Sequence, residues 1–126
     1  MTNLNIWYGS NENPEFSNLA GRRFVFNGIR YVTVEHAYQT LKSGKFDMAT
    51  YGKPWGPGKK FLGKRADRNT NIALMTRLIH ESFKQNAEVL GNLTAIHPSV
   101  KITHNQDRGI WRTEFPRILE ELRTSS

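Results

Sequence analysis

Glu35, Gln39 and Lys42 place a carboxylate, an amide and an amine within the stretch Glu35-His36-Ala37-Tyr38-Gln39-Thr40-Leu41-Lys42. Read as a helix, the spacing i, i+4, i+7 puts all three on one stripe. Two turns, a rise of about 10.5 Å, separate the backbones of Glu35 and Lys42. The two side chains could therefore reach a bound sugar from opposite ends, with Gln39 hydrogen bonding between them. A carboxylate beside a sugar stabilises positive charge at the anomeric carbon or handles a proton. A lysine that has lost its proton can attack a ring-opened sugar aldehyde to give a Schiff base. A plain amphipathic helix would put the same three residues in solvent. The chain leading into the helix favours the site, because Phe16-Ser17-Asn18-Leu19 and an apparent hairpin deliver the backbone to it.

The elements that must position this stripe have local signatures. Asn5 to Tyr8 reads as a short strand and Gly9 to Pro14 as a loop. Arg23 to Phe26 and Ile29 to Val32 flank Asn27-Gly28, the strongest short hairpin signal. Thr33 is placed to cap the following helix, whose buried stripe would use Ala37, Tyr38 and Leu41, with Ser43-Gly44 ending it. Lys45 to Gly58 reads as loop and Lys59 to Arg65 as a short helix. Asn71 to Gln85 is the clearest helix, with Ile72, Met75, Ile79 and Phe83 along one face. A shorter helix is expected after Asn86, an irregular stretch from Pro98 to Trp111, and a closing helix marked by Phe115, Ile118, Leu119 and Leu122. The expected fold is α+β: a compact, helix-rich single domain over residues 1–126 with a small antiparallel hairpin sheet.

Composition narrows the function classes. Apolar residues make up 37% and aromatics 11% of the 126 residues, as in a globular protein, and the apolar runs fall well short of the roughly 20 residues of a membrane span. Met1 to Asn5 lacks the basic and apolar regions of a signal peptide, so a cytoplasmic protein without membrane association is expected. With no cysteine, disulfides, thiol catalysis and thiolate metal sites are excluded. His80, His97 and His104 have no metal-site spacing, and neither a metal nor another cofactor is expected.

The net charge is +7, and most of it comes from one segment. Residues 51–70 carry Lys53, Lys59, Lys60, Lys64, Arg65 and Arg68 against Asp67 alone. Such a rim attracts phosphate or nucleic acid, and Lys59, Lys60 and Lys64 are its candidate contacts. The same segment could also be a solvated basic loop. Gly52 to Lys60 does not fit the P-loop pattern, so ATP hydrolysis is not indicated.

Phe16-Ser17-Asn18-Leu19, the hairpin with Gly28 and Tyr31, and Val34-Glu35-His36-Ala37-Tyr38-Gln39 with Lys42 together resemble the NADAR (YbiA-like) family. Met75, Phe83-Lys84-Gln85-Asn86 and Asp107-Arg108-Gly109-Ile110-Trp111 echo later family features more loosely. The resemblance implies an N-glycoside hydrolase. Its first implied substrate is an ADP-ribosylated nucleobase or nucleotide, such as ADP-ribosyl-guanine, with nucleic acid met through the basic segment 53–68. Its second is a phosphorylated ribosylamine intermediate of riboflavin biosynthesis, and a non-catalytic NAD or ADP-ribose-binding module is the third reading. By resemblance, Glu35 is the catalytic or sugar-binding carboxylate and Lys42 the Schiff-base amine. Asn18 and Gln39 line the sugar pocket, with Phe16, Ser17 and His36 beside them, and Asp107 and Trp111 add an acid and an aromatic. Lys101-Ile102-Thr103 departs from the Leu-Val-Glu of many relatives, which counts against the riboflavin-type substrate.

Overall fold

The computed structural model describes residues 2–42 and 70–125. The expected loop from Lys45 to Gly58, the helix over Lys59 to Arg65 and the basic segment lie outside the described residues. The chain is α+β and divides into two compact units, one made of residues 1–17 and 87–126, the other of residues 18–86.

The unit of residues 18–86 is built on strands β2 (Phe24–Phe26) and β3 (Ile29–Tyr31) and helices α1 (Val34–Leu41) and α2 (Ile72–Lys84). The hairpin forms because Asn27 and Gly28 both take positive φ, 51° and 79°. This is the primed-turn geometry that matches the twist of two antiparallel strands. Phe24 pairs with Tyr31, Val25 with Arg30 and Phe26 with Ile29. The alternation buries Phe24, Phe26 and Tyr31 and turns Val25 and Arg30 outward. The free edge of β2 is covered by side chains from the end of α2. Gln85 accepts from the Val25 amide at 2.7 Å and donates to the Val25 carbonyl at 2.9 Å, while Asn86 donates to the Arg23 carbonyl at 2.9 Å. An edge strand so occupied cannot recruit another strand at those groups.

Thr33 caps α1 as expected, its hydroxyl accepting from the His36 amide at 3.0 Å. The buried face of α1 is Val34, Ala37 and Tyr38 with His36 and Thr40, and Leu41 is only half-buried. On α2, Met75, Leu78, Ile79 and Phe83 are almost wholly buried, each stabilising the fold by roughly 1.5–3 kcal/mol. This face packs on α1 and β2. Arg22 is buried beside it, with Nε donating to the Ser82 hydroxyl at 3.0 Å and the guanidinium 4.4 Å from the Phe83 ring centroid.

The unit of residues 1–17 and 87–126 corrects two expectations. The first strand is β1 (Asn3–Asn5), not Asn5 to Tyr8, because the chain turns at Tyr8–Ser10 in a single 3-10 turn closed by Asn11 in the left-handed region. The stretch Pro98 to Trp111 is not wholly irregular, since it contains β4 (Lys101–Thr103), which pairs parallel with β1. Helix α3 (Ala87–Thr94) follows Asn86 as expected. Helix α4 (Trp111–Ser125) buries Phe115, Ile118, Leu119 and Leu122 and packs on β4 and α3. No helix among the described residues is long and apolar enough to cross a membrane.

Candidate functional site

The three polar residues that begin the site are joined within one unit. The Glu35 amide, at the first turn of α1, donates to the Asn18 carbonyl at 3.1 Å. That bond ties the turn carrying Asn18 to the helix carrying Glu35. One helical turn further on, Gln39 Nε2 donates to Glu35 Oε1 at 2.7 Å. A carboxylate oxygen accepts from the amide nitrogen, so this bond fixes which way the Gln39 amide faces. Gln39 Oε1 is buried with no hydrogen-bond partner among the described residues, and so is Asn18 Oδ1. The Asn18 amide nitrogen approaches the Met75 sulfur on α2 at 3.5 Å, a weak acceptor that sets the orientation of the side chain.

Such oxygens are costly, since a buried acceptor without a donor forfeits about 1–3 kcal/mol. One belongs to the amide bonded to the Glu35 carboxylate, the other to the residue whose carbonyl accepts from the Glu35 amide. A ligand presenting several O–H or N–H donors would restore what burial removed. Sugar hydroxyls have that character.

Lys42 closes α1 as its C-cap, and its ammonium lies 5.3 Å from the Tyr38 ring centroid, within cation–π range. Tyr38 is held at its other end, where its hydroxyl accepts from the Asn71 amide at 2.9 Å. Asn71 in turn caps α2, accepting from the Leu74 amide at 3.0 Å. Tyr38 and Asn71 thus lock the Lys42 end of the stripe to the start of α2. Sequence reasoning did not single out Asn71, although an Asn just before an apolar-periodic run is a recognisable start signal.

His36 is 7% exposed, and neither of its ring nitrogens has a hydrogen-bond partner among the described residues. Its ring meets Tyr31 edge-on at 5.9 Å, and the buried Tyr31 hydroxyl is also unpartnered. Burial pushes the imidazole pKa down and the phenol pKa up, because both charged forms lose hydration. Both groups are therefore held neutral.

The remaining candidates lie in the other unit. Phe16 and Ser17 are buried where the Pro14–Phe16 turn ends, the Ser17 amide donating to the Pro14 carbonyl. Asp107 accepts from the Gly109 amide at 2.8 Å and faces the His104 Nε2 at 3.6 Å. His104 is sandwiched between Trp7 and Phe115, with centroids at 5.2 and 4.8 Å. Trp111 opens α4 and is half-buried. The structure thus joins Asn18, Glu35 and Gln39 by hydrogen bonds and carries Lys42 on the same helix. Lys59, Lys60 and Lys64 lie outside the described residues. Among the described residues, no group of three acidic or histidine side chains is placed to hold a metal ion.

No protein-family model, curated protein or solved structure matches this chain.

Proposed function

We propose that the protein is an N-glycosidase that hydrolyses the bond between ADP-ribose and a modified nucleobase, reversing ADP-ribosylation, with Glu35 and Lys42 as its catalytic residues. The observation that carries the reading is the Glu35 carboxylate hydrogen-bonded by Gln39, together with buried oxygens on Gln39 and Asn18 that have no partner among the described residues. The resemblance of the Phe16 to Lys42 segment to the NADAR family supplies the reaction class.

In this reaction the bond from the anomeric carbon to the base nitrogen breaks, and the nitrogen leaves with the electron pair and takes up a proton. Positive charge develops on the anomeric carbon and ring oxygen, where an adjacent carboxylate is most valuable. Water then adds to the carbon and loses a proton, giving free ADP-ribose and the restored base. Asn18 and Gln39 accept hydrogen bonds from the sugar hydroxyls. In the covalent variant, the Lys42 amine, which must first give up its proton, attacks the anomeric carbon. The base nitrogen leaves with the electron pair of the broken bond and takes up a proton. The sugar ring opens to leave an imine on Lys42, and water hydrolyses that imine to free ADP-ribose and the amine.

The test incubates the protein with a DNA oligonucleotide carrying ADP-ribosyl-guanine and follows ADP-ribose release by mass spectrometry, with borohydride added in parallel. Release, lost in Lys42→Ala together with a trapped adduct, supports both the reaction and the amine. Release that survives Lys42→Ala removes the lysine from the chemistry. Absence of release would overturn the reading, and turnover of a phosphorylated ribosylamine would redirect it.

A further inference from the structure

A groove of about 350 Å³ runs between the hairpin turn, Val25 to Asn27, and the outer face of α2. It shares no residue with the Glu35 stripe. Arg77, His80 and Lys84 line it at helical spacing i, i+3, i+7, with Glu81 the one acid among them. Glu81 is already engaged, 3.9 Å from the Lys84 ammonium and accepting from Gln85 Nε2 at 3.1 Å. On the hairpin, Arg30 pairs across from Val25 and shares its outward face. Two cations, Arg77 and Lys84, therefore line the groove with one occupied carboxylate.

The arginine is presented in a particular way. Its guanidinium lies 5.0 Å from the centroid of the buried Phe26 ring. A guanidinium held over a ring keeps N–H donors for contact with phosphate oxygens. His80 also lines the groove, and its Nε2 is buried without a hydrogen-bond partner among the described residues. An imidazole nitrogen there can serve a phosphate oxygen or hydroxyl.

We propose that this groove is a phosphate-binding subsite, with Arg77 and Lys84 as its contacts and His80 as its inner hydrogen-bonding group, suited to the phosphodiester backbone of a single nucleic-acid strand. It does not depend on the glycosidase reading and stands or falls apart from it.

The test uses an unmodified ten-nucleotide DNA strand, which has no bond for a glycosidase to break, and adenosine diphosphate as a second probe. Amide NMR shifts are followed over Val25–Asn27 and Thr76–Lys84, and affinity is measured against salt for the native protein, K84Q and R77Q/K84Q. Arg77 and Lys84 are exposed, so both variants should fold, which circular dichroism checks. K84Q alone leaves the Arg77–Phe26 contact in place. The expected result is groove-localised shifts with the strand and a salt slope shallower by about 0.7 in K84Q and about 1.4 in R77Q/K84Q. Shifts with adenosine diphosphate and none with the strand would keep the phosphate chemistry and assign a free nucleotide as its source. No groove shifts with either probe, or an unchanged slope in R77Q/K84Q, overturns the proposal.

Discussion

The two units use their polar side chains in opposite ways. Around β1 and β4, Asn5 donates to Glu12 at 3.2 Å and to Gln106 at 2.7 Å, and accepts from the Thr103 hydroxyl and the Asn105 amide. Gln106 donates to Glu12 at 2.6 Å, and the Ser10 hydroxyl donates to the same carboxylate. Hydrogen bonds from Ser10, Asn5 and Gln106 hold the Glu12 carboxyl below its ordinary pKa. The donors and acceptors of this knot serve one another, and its work is to hold together strands almost a hundred residues apart in sequence. Around α1 the bookkeeping is left open. Asn18 Oδ1, Gln39 Oε1, the Tyr31 hydroxyl and both His36 nitrogens are buried without partners among the described residues. A polar cluster that satisfies itself is architecture, whereas buried polar atoms without a partner call for an explanation.

The sharpest way to break this contrast is to change one residue in each unit. Glu35→Gln keeps the shape of the side chain and removes the charge. Release of ADP-ribose should fall by about 10²- to 10⁴-fold, with the melting temperature little changed. A variant with near-native turnover would return Glu35 to the class of helix-surface residues. Asn5→Ala should do the reverse. It leaves Glu12, Gln106 and Thr103 each short of a partner, and urea unfolding should register a loss of about 2 kcal/mol. A loss below about 0.5 kcal/mol would mean that water replaces the knot without cost.

The local half of the fold was legible because local rules decide it. Asn27-Gly28 fixes the hairpin by its need for positive φ, Thr33 fixes the start of α1, and the spacing of Met75, Ile79 and Phe83 fixes the buried face of α2. The pairing of β1 with β4 was not legible. Each strand is three residues long, too short for alternation to stand out, and a parallel pair carries no turn signal. The expected strand ran on to Tyr8 because Ile6-Trp7-Tyr8 is β-prone, but Asn11 in the left-handed region turns the chain back. At the candidate site, the stripe of Glu35, Gln39 and Lys42 followed from helical spacing. The bond from the Glu35 amide to the Asn18 carbonyl did not, since no residue type announces a backbone acceptor 17 positions away.

A smaller effect tests how the α1 unit is held. Gln85 joins the end of α2 to both polar groups of Val25. Gln85→Ala should destabilise by about 1 kcal/mol, and hydrogen exchange should quicken at the Val25 amide before it does in α2. Uniform protection across the hairpin in that variant would show that the cross-strand ladder alone secures β2.

The smallest effect distinguishes the two units by pH. His36 is a base whose folded pKa lies below its unfolded value, about 6.5, because burial disfavours the imidazolium. Above that unfolded value the residue is neutral in both states and contributes no pH dependence. As pH falls below about 6.5, the unfolded chain binds a proton that the folded chain resists, so stability declines until the folded pKa is passed and then levels off. Glu12 belongs to the other unit and is a lowered acid, so its contribution fades only further down, as pH falls from its unfolded value through its folded one. Unfolding free energy measured across these ranges should therefore show a first decline below about pH 6.5 that is absent in His36→Phe. It should show a second, in the carboxylate range, that persists in that variant. If His36→Phe leaves the first decline intact, the protons are taken up elsewhere and the buried imidazole is not what limits stability in mild acid.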